Sequence, residues 1–265
     1  MTPRIAIVGC GSIGSRHINN LLAMGYQDLV AVEPRSMPHD ERVPIVSMLE
    51  DLGSWDLTHA LICSPPEFHY RHARYFINRG VRTFIEKPMT MTAMEARTLC
   101  AIAHMNKQEI ALGYMERAHP TVLAAKQWAK EHGPGMAYFH CYWRAEKKTY
   151  RLSVADESSH AVDTALFVMG RADSALRLGG SEVRSHIEVA HGCGRSKIMM
   201  DMDTSPLRSI ALYAADGSNF TGDYGTTPEE WSACYKAELQ AFLDGRPLCT
   251  GEDGVKVMEV LEQLR

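Results

Sequence analysis

No two of the seven cysteines form a C-x-x-C pair; Cys10, Cys63, Cys100, Cys141, Cys193, Cys234 and Cys249 lie scattered along the chain. An odd, unclustered set fits reduced packing thiols and argues against a disulfide framework. No uninterrupted apolar run is long enough to cross a bilayer. The first nine residues lead into a glycine-rich segment instead of a cleavage site, so the reading is a cytoplasmic protein. No long basic run is present and the formal net charge is only -4, which argues against nucleic acid and anionic membrane surfaces as partners. There is no internal repeat or low-complexity tract. No G-x-S-x-G elbow marks a serine nucleophile. What remains is 265 residues at 45% hydrophobic content, enough for one large core or two modest ones.

The first part of the chain alternates short β-branched runs with amphipathic stretches. Strands are predicted over 4–8, 28–32, 59–63, 82–85 and 109–115, with helices over 13–24, 67–79 and 92–106. Fully apolar strands alternating with helices imply a doubly wound parallel sheet. Past about residue 116 the rhythm changes. A helix over 121–131 precedes a strand over 136–144, a helix over 158–169 ends at Gly170, and strands follow over 184–191, 197–202 and 208–213. The last two are expected to form a hairpin across Thr204-Ser205-Pro206, in a mostly antiparallel, open sheet. Helices over 228–243 and 253–264 close an α+β half. The expected division is a dinucleotide-binding domain at 1–116 and a substrate-binding and oligomerisation domain at 117–265, whose terminal helix is free to pack back on the first.

Gly9-Cys10-Gly11-Ser12-Ile13-Gly14 matches G-x-G-x-x-G directly after a strand and directly before a helix. In that context Gly9 allows the tight turn, Gly11 lets backbone approach a pyrophosphate, and Gly14 lets the helix pack on the strand, with Ser12 and Ile13 at the helix start facing the phosphates. Glu33 follows the second strand, 24 positions after Gly9, where a carboxylate accepts hydrogen bonds from the adenine-side ribose hydroxyls. That favours NAD. Arg35 leaves NADP open, because a guanidinium two residues on can pair with a 2′-phosphate.

Further segments resemble the Gfo/Idh/MocA family, the relatives of glucose-fructose oxidoreductase and inositol dehydrogenase. Ser64-Pro65-Pro66-Glu67-Phe68-His69 looks like the family's loop after the fourth strand, Glu86-Lys87-Pro88 like its E-K-P signature, and Gly113-Tyr114-Met115-Glu116-Arg117-Ala118-His119-Pro120 like its G-Y-x-x-R-x-H-P segment. Ser159-His160-Ala161-Val162-Asp163 looks like its H-x-x-D helix start. The resemblance runs along nearly the whole chain and implies an N-terminal Rossmann domain, a C-terminal α+β domain shortened between Trp143 and Tyr150, and a homodimer or larger homo-oligomer joined through the open sheet. It also implies Lys87, Asp156 and His160 as the catalytic set, and Ser64, Pro65, His69, Glu86 and Lys87 as cofactor-loop residues beside the glycine turn.

The chemistry suits those residue types. Oxidising a hydroxyl with a nicotinamide requires one group to take the hydroxyl proton near neutral pH. A histidine with an unperturbed pKa of about 6.5 does this, and Asp156, four residues earlier, is placed to orient it. A lysine at a strand end stabilises developing alkoxide charge. Glu157 is a rival acid to Asp156, and Asp163 is either a supporting residue or a helix-stabilising acid. Arg144, Lys147, Lys148 and Arg151 form a solvated basic face or receive an anionic group on the substrate. No metal is expected: His69 and His72 share a helical face without a third ligand, and His140 and Cys141 point to opposite sides of a strand. The implied activity is NAD(P)-dependent hydride transfer at a hydroxyl or keto carbon of a sugar, cyclitol or related polyol. Two alternatives stand beside it: a non-enzymatic dinucleotide-binding sensor, and glycoside elimination or hydrolysis assisted by transient oxidation.

Overall fold

The computed structural model describes residues 2–35, 41–142, 158–180, 184–201, 207–225 and 227–264. The chain divides into two compact units, one of 1–114 and 235–255 and the other of 115–234 and 256–265. The units are therefore not two contiguous halves: residues 235–255 return to the first.

In the first unit, β1 (Ile5–Val8), β2 (Leu29–Val32), β4 (His59–Ile62) and β6 (Ile110–Gly113) are buried at every position. Uniform burial is what a parallel sheet covered on both faces demands. With β3 (Ile45–Val46) and β5 (Arg82–Glu86), these strands form one sheet in the order β3-β2-β1-β4-β5-β6, with every pairing parallel. Helices α1 (Ser12–Ala23), α2 (His69–Ile77) and α3 (Ala93–Met105) connect them. The core gathers Ile5, Ile7, Leu21, Leu61 and Phe84 with Leu239 and Phe242 from the returning segment. Strand order reverses between β1 and β4, and the carboxyl ends of strands flanking such a switch point are where an open α/β sheet binds its ligand. Gly9, Glu33 and Ser64 follow β1, β2 and β4 at that end.

The second unit carries α4 (Pro120–His132), β7 (Met136–Tyr142), α5 (Ser159–Met169), β8 (Ala172–Gly180), β9 (Arg184–His191), β10 (Gly194–Asp201), β11 (Leu207–Tyr213) and β12 (Asn219–Tyr224). Pro120 opens α4, where its missing N–H costs nothing, and Gly133 at φ +59° closes it. The sheet order is β12-β11-β7-β10-β9-β8. Only β7 with β10 is parallel; the other four pairings are antiparallel. Helices α4 and α5 cover one face. Helix α6 (Pro228–Leu243) and helix α7 (Gly251–Gln263) complete the chain, each with residues in both units.

The expected hairpin between 197–202 and 208–213 is overturned. β7 lies between those strands, pairing Arg195 with Met136 on one side and Leu207 with Tyr142 on the other. Alternation along a strand sets which face is buried but not which strand is its neighbour. Here β7, with Ala137, Phe139 and Cys141 essentially inaccessible, takes the middle. Strands β8 and β12 carried no clear signal: β8 is exposed along most of its length, and β12 is short with Gly222 inside it. Among the described residues, no helix is long and apolar enough to cross a membrane.

Candidate active site

Gly9 leaves β1 at φ +92°, a conformation that favours glycine. A Cβ there would stand 2.8 Å from the Cys63 carbonyl oxygen and from Ser64 Cα. A Cβ on Gly14 would collide with the Gly9 carbonyl oxygen, so the first turn of α1 lies directly against the glycine turn. Gly11 differs, because nothing lies within 4 Å of its Cβ position. That side of the turn is open. Helix α1 begins at Ser12, with Gly11 as a cap that offers no side-chain acceptor and with no acidic residue in the first turn. Its N-terminal amides are thus left to a ligand or to water, and an anion is the favoured ligand.

Glu33 is only 5% exposed. Its Oε2 accepts from the Cys10 backbone N–H at 2.9 Å, and its Oε1 from Arg35 N–H and Nε at 3.1 and 3.2 Å. Burial works against the charged form, but those donors hold the carboxyl below its usual pKa. Arg35, with a side chain 72% exposed, is bound to Glu33. Gly9, Glu33, Arg35, Ser64, Pro65 and Phe68 are among the residues lining a cleft of about 800 Å³.

His69 is 1% exposed. Its Nδ1 lies 2.8 Å from the Pro88 carbonyl oxygen and its Nε2 lies 2.7 Å from that of Ser64. One ring thereby ties the loop after β4 to the loop after β5. Burial lowers its pKa despite the two carbonyl contacts, which pull the other way. Glu86 is held in a second tie. Its Oε1 lies 2.7 Å from His17 Nε2 and its Oε2 accepts from Lys87 N–H at 3.2 Å. In the sheet Glu86 sits beside Gly113, where a Cβ would come within 2.9 Å of Glu86 Oε1. The glutamate of E-K-P and the glycine of G-Y-x-x-R are thus one packing unit. His69 and Glu86 brace the loops. Lys87 is half-buried and joined to Pro88 by a cis peptide bond. Glu238 also approaches the pair, with ligand atoms of His17, Glu86 and Glu238 within 4.8 Å of one another; the His17–Glu86 separation is that of a hydrogen bond. His72 Nδ1 lies 2.9 Å from Ser64 Oγ.

In the second unit, His160 is the second residue of α5, its side chain 17% exposed. Asp163, one turn on, is the buried partner of Arg117: Nη2 donates to Oδ1 at 2.7 Å and Nε to Oδ2 at 3.0 Å. Glu116, wholly inaccessible, accepts at Oε2 from Tyr224 OH at 3.0 Å and Thr164 Oγ1 at 3.1 Å. Its Oε1 lies 3.2 Å from Arg208 Nε and 3.9 Å from His160 Nδ1. Burial and the neighbouring Glu116 push the Tyr224 hydroxyl well above its usual range, and burial with Glu116 takes the Cys141 thiol to about 12. Sequence reasoning passed over Glu116, which occupies a variable slot of G-Y-x-x-R-x-H-P, and over Arg208 and Tyr224, which carry no local signal. Asp156, Glu157, Arg144, Lys147, Lys148 and Arg151 lie outside the described residues.

Residues 3–114 match the sequence profile of the oxidoreductase family with an NAD-binding Rossmann fold, GFO_IDH_MocA. That segment, less than half of the chain, is similar to the Gfo/Idh/MocA family. The family's described cofactor is NAD, in agreement with the reading of Glu33. Among its relatives, the D-glucoside 3-dehydrogenase of Escherichia coli (strain K12) is 27% identical over 128 residues, 43% of this chain and 35% of that enzyme. Inositol 2-dehydrogenase 1 of Paenarthrobacter aurescens is 22% identical over 289 residues, 92% of this chain and 85% of that enzyme. The first three curated relatives are matched over 35%, 41% and 53% of their own length. Over the whole fold, the WlbA (WbpB) dehydrogenase from Thermus thermophilus, solved with NAD and alpha-ketoglutarate, superposes with a TM-score of 0.84 at 17% identity, covering 98% of this chain and 93% of that one. At that identity the two chains share an architecture.

Proposed function

We propose that this chain is an NAD-dependent oxidoreductase of the Gfo/Idh/MocA kind that moves a hydride between the nicotinamide and a hydroxyl or keto carbon of a sugar, cyclitol or related polyhydroxylated compound. The observation that carries the reading is the glycine turn with Glu33 beside it. Gly11 leaves the turn open to a pyrophosphate, while Glu33, charged and fixed by Cys10 and Arg35, offers oxygens to a ribose diol. Gly9, Gly11, Ser12, Ile13 and Gly14 would hold the phosphates, Glu33 and Arg35 the adenine-side ribose, and Ser64 and Pro65 the far wall of the cleft. His69 and Glu86 act beneath these loops as braces. Bound NAD supplies the hydride acceptor. Lys87 hydrogen-bonds the reacting oxygen and stabilises alkoxide character on it, and His160 takes the hydroxyl proton; Asp156 is assigned to support His160. The related D-glucoside and inositol dehydrogenases supply the substrate class. The test is purified protein, NAD and a panel of polyols and sugars, followed by nicotinamide absorbance. Tight cofactor binding with no turnover on any of them would replace the enzyme by a sensor.

Glu33 also decides the cofactor. Glu33→Ala should weaken NAD by about 10- to 100-fold, the cost of losing charge-assisted hydrogen bonds to a diol. NADP should lose less or gain, because Arg35 is released to meet a 2′-phosphate. Fluorescence titration with both dinucleotides measures the ratio; an unchanged ratio rules out ribose recognition by Glu33.

We further propose a homodimer or larger homo-oligomer joined through the second unit's sheet. Leu176 and Leu178 on β8 are 62% and 54% exposed in the single chain, apolar surface that association would remove from water. Light scattering at micromolar concentration should give at least twice the chain mass; a monomer mass contradicts the assignment.

A further inference from the structure

The carboxylate nearest to His160 among the described contacts comes from a different element of the second unit. Thr164 follows His160 by four residues on α5, so the two side chains share one face of the helix. Glu116 lies against that face, its Oε2 on Thr164 Oγ1 at 3.1 Å and its Oε1 at 3.9 Å from His160 Nδ1. The acid is anchored from two further directions, by Tyr224 OH at 3.0 Å from β12 and by Arg208 Nε at 3.2 Å from β11. Arg208 is itself steadied over the Trp231 ring, 4.4 Å from its centroid. A carboxylate with no solvent access, two hydroxyl donors on Oε2 and a guanidinium ion-paired at Oε1 is a fixed charge, and its direction is held. His160 Nδ1 is buried against it.

We infer that Glu116 is the positioning residue for His160, orienting the ring through the buried Nδ1 and leaving Nε2 to exchange the substrate proton; this rests on the reading of His160 as the proton acceptor. At 3.9 Å the attraction is that of an ion pair and not of a hydrogen bond. It therefore acts most strongly on the protonated ring, the state that forms as the substrate hydroxyl is deprotonated. Arg208 shares Oε1 with the histidine and opposes that pull. The other ionisable groups about this cluster are Tyr224 on β12, Cys141 on β7, and Asp163 on α5 with its partner Arg117.

The test is a pH titration of the His160 imidazole by NMR in the full chain, its signal assigned by its loss in His160→Ala. Glu116→Gln, which keeps the side-chain size, should lower the His160 midpoint by about one pH unit. Arg208→Met should raise it. Opposite shifts from two neighbouring substitutions follow from charge and not from loosened packing, and Arg208→Met reads the same contact should Glu116→Gln fold poorly. In turnover, Glu116→Gln should lower kcat by about tenfold or more, move the acidic limb of the pH profile in the same direction as the NMR midpoint, and leave NAD affinity unchanged. An unmoved His160 midpoint in Glu116→Gln overturns the inference, as does a larger shift in Asp156→Asn. Absence of turnover in the unsubstituted protein counts against the proposed activity, whereas the titration decides the Glu116–His160 pairing without turnover.

Discussion

Lys87→Met should lower kcat by about 10²–10³-fold, the cost of removing one preorganised donor from a developing oxyanion, while NAD affinity changes by no more than about threefold, roughly the effect of a surface charge. The expectation rests on how the lysine is presented. Its backbone N–H is held by Glu86 Oε2 at 3.2 Å, and Glu86 is in turn fixed by His17 at 2.7 Å and seated against Gly113. On the other side, His69 holds the Pro88 carbonyl at 2.8 Å. The loop is thus pinned before and after Lys87 by buried groups, as a residue that must aim an ammonium at one atom requires. Lys87→Arg should rescue little, because a planar fork cannot replace a point charge on this stem. Steady-state turnover with a polyol that the unsubstituted protein oxidises, paired with a fluorescence titration of NAD, makes the measurement. Turnover within a factor of about three of the unsubstituted protein would remove Lys87 from the chemistry, since the loss of a transition-state donor is far larger.

The parts of this protein legible in its sequence are those where one local rule dominates. A continuous apolar strand, then glycine, then a helix start has few other uses, and the tight turn at Gly9, the open side at Gly11 and the close packing at Gly14 are the shapes that pattern predicts. Glu33 was readable for the same reason: its distance along the chain fixes its place after β2. Pairing was less legible. β10 and β11 alternate as half-buried strands should, but their common neighbour β7 precedes them by more than fifty residues, and no pattern within either strand carries that choice. The roles of His69 and Glu86 were blurred similarly. Both stand in loop motifs that suggest ligand contact, and nothing in those motifs shows that both are also buried against protein groups, the fixed supports such loops need. Glu116 gave no signal at all, since its partners Thr164, Arg208 and Tyr224 come from three distant elements.

Arg117→Met should destabilise the protein by about 3–5 kcal/mol, the cost of stranding a buried charge by deleting its partner. Asp163 is 1% exposed and takes three described bonds from the guanidinium, while Arg117 is 6% exposed. Methionine matches the stem of the arginine but offers no donor, and the carboxylate then loses the guanidinium's bonds in the interior or takes up a proton at a cost. The loss extends to packing, because the guanidinium also lies 4.8 Å over the Phe167 ring. Removing both charges should behave differently: Arg117→Met with Asp163→Leu should recover most of the lost stability, since a buried ion pair exchanged for apolar groups of similar volume is often neutral. Urea denaturation of the unsubstituted protein, both single variants and the double variant gives the coupling directly. If Arg117→Met costs less than about 1 kcal/mol, as exposed ion pairs do, then Asp163 is reached by water and the pair does not anchor α5. If the cost is large but the double variant fails to recover, the guanidinium acts through Phe167 and the shape of the site rather than through charge. The two results separate because only the carboxylate depends on being neutralised.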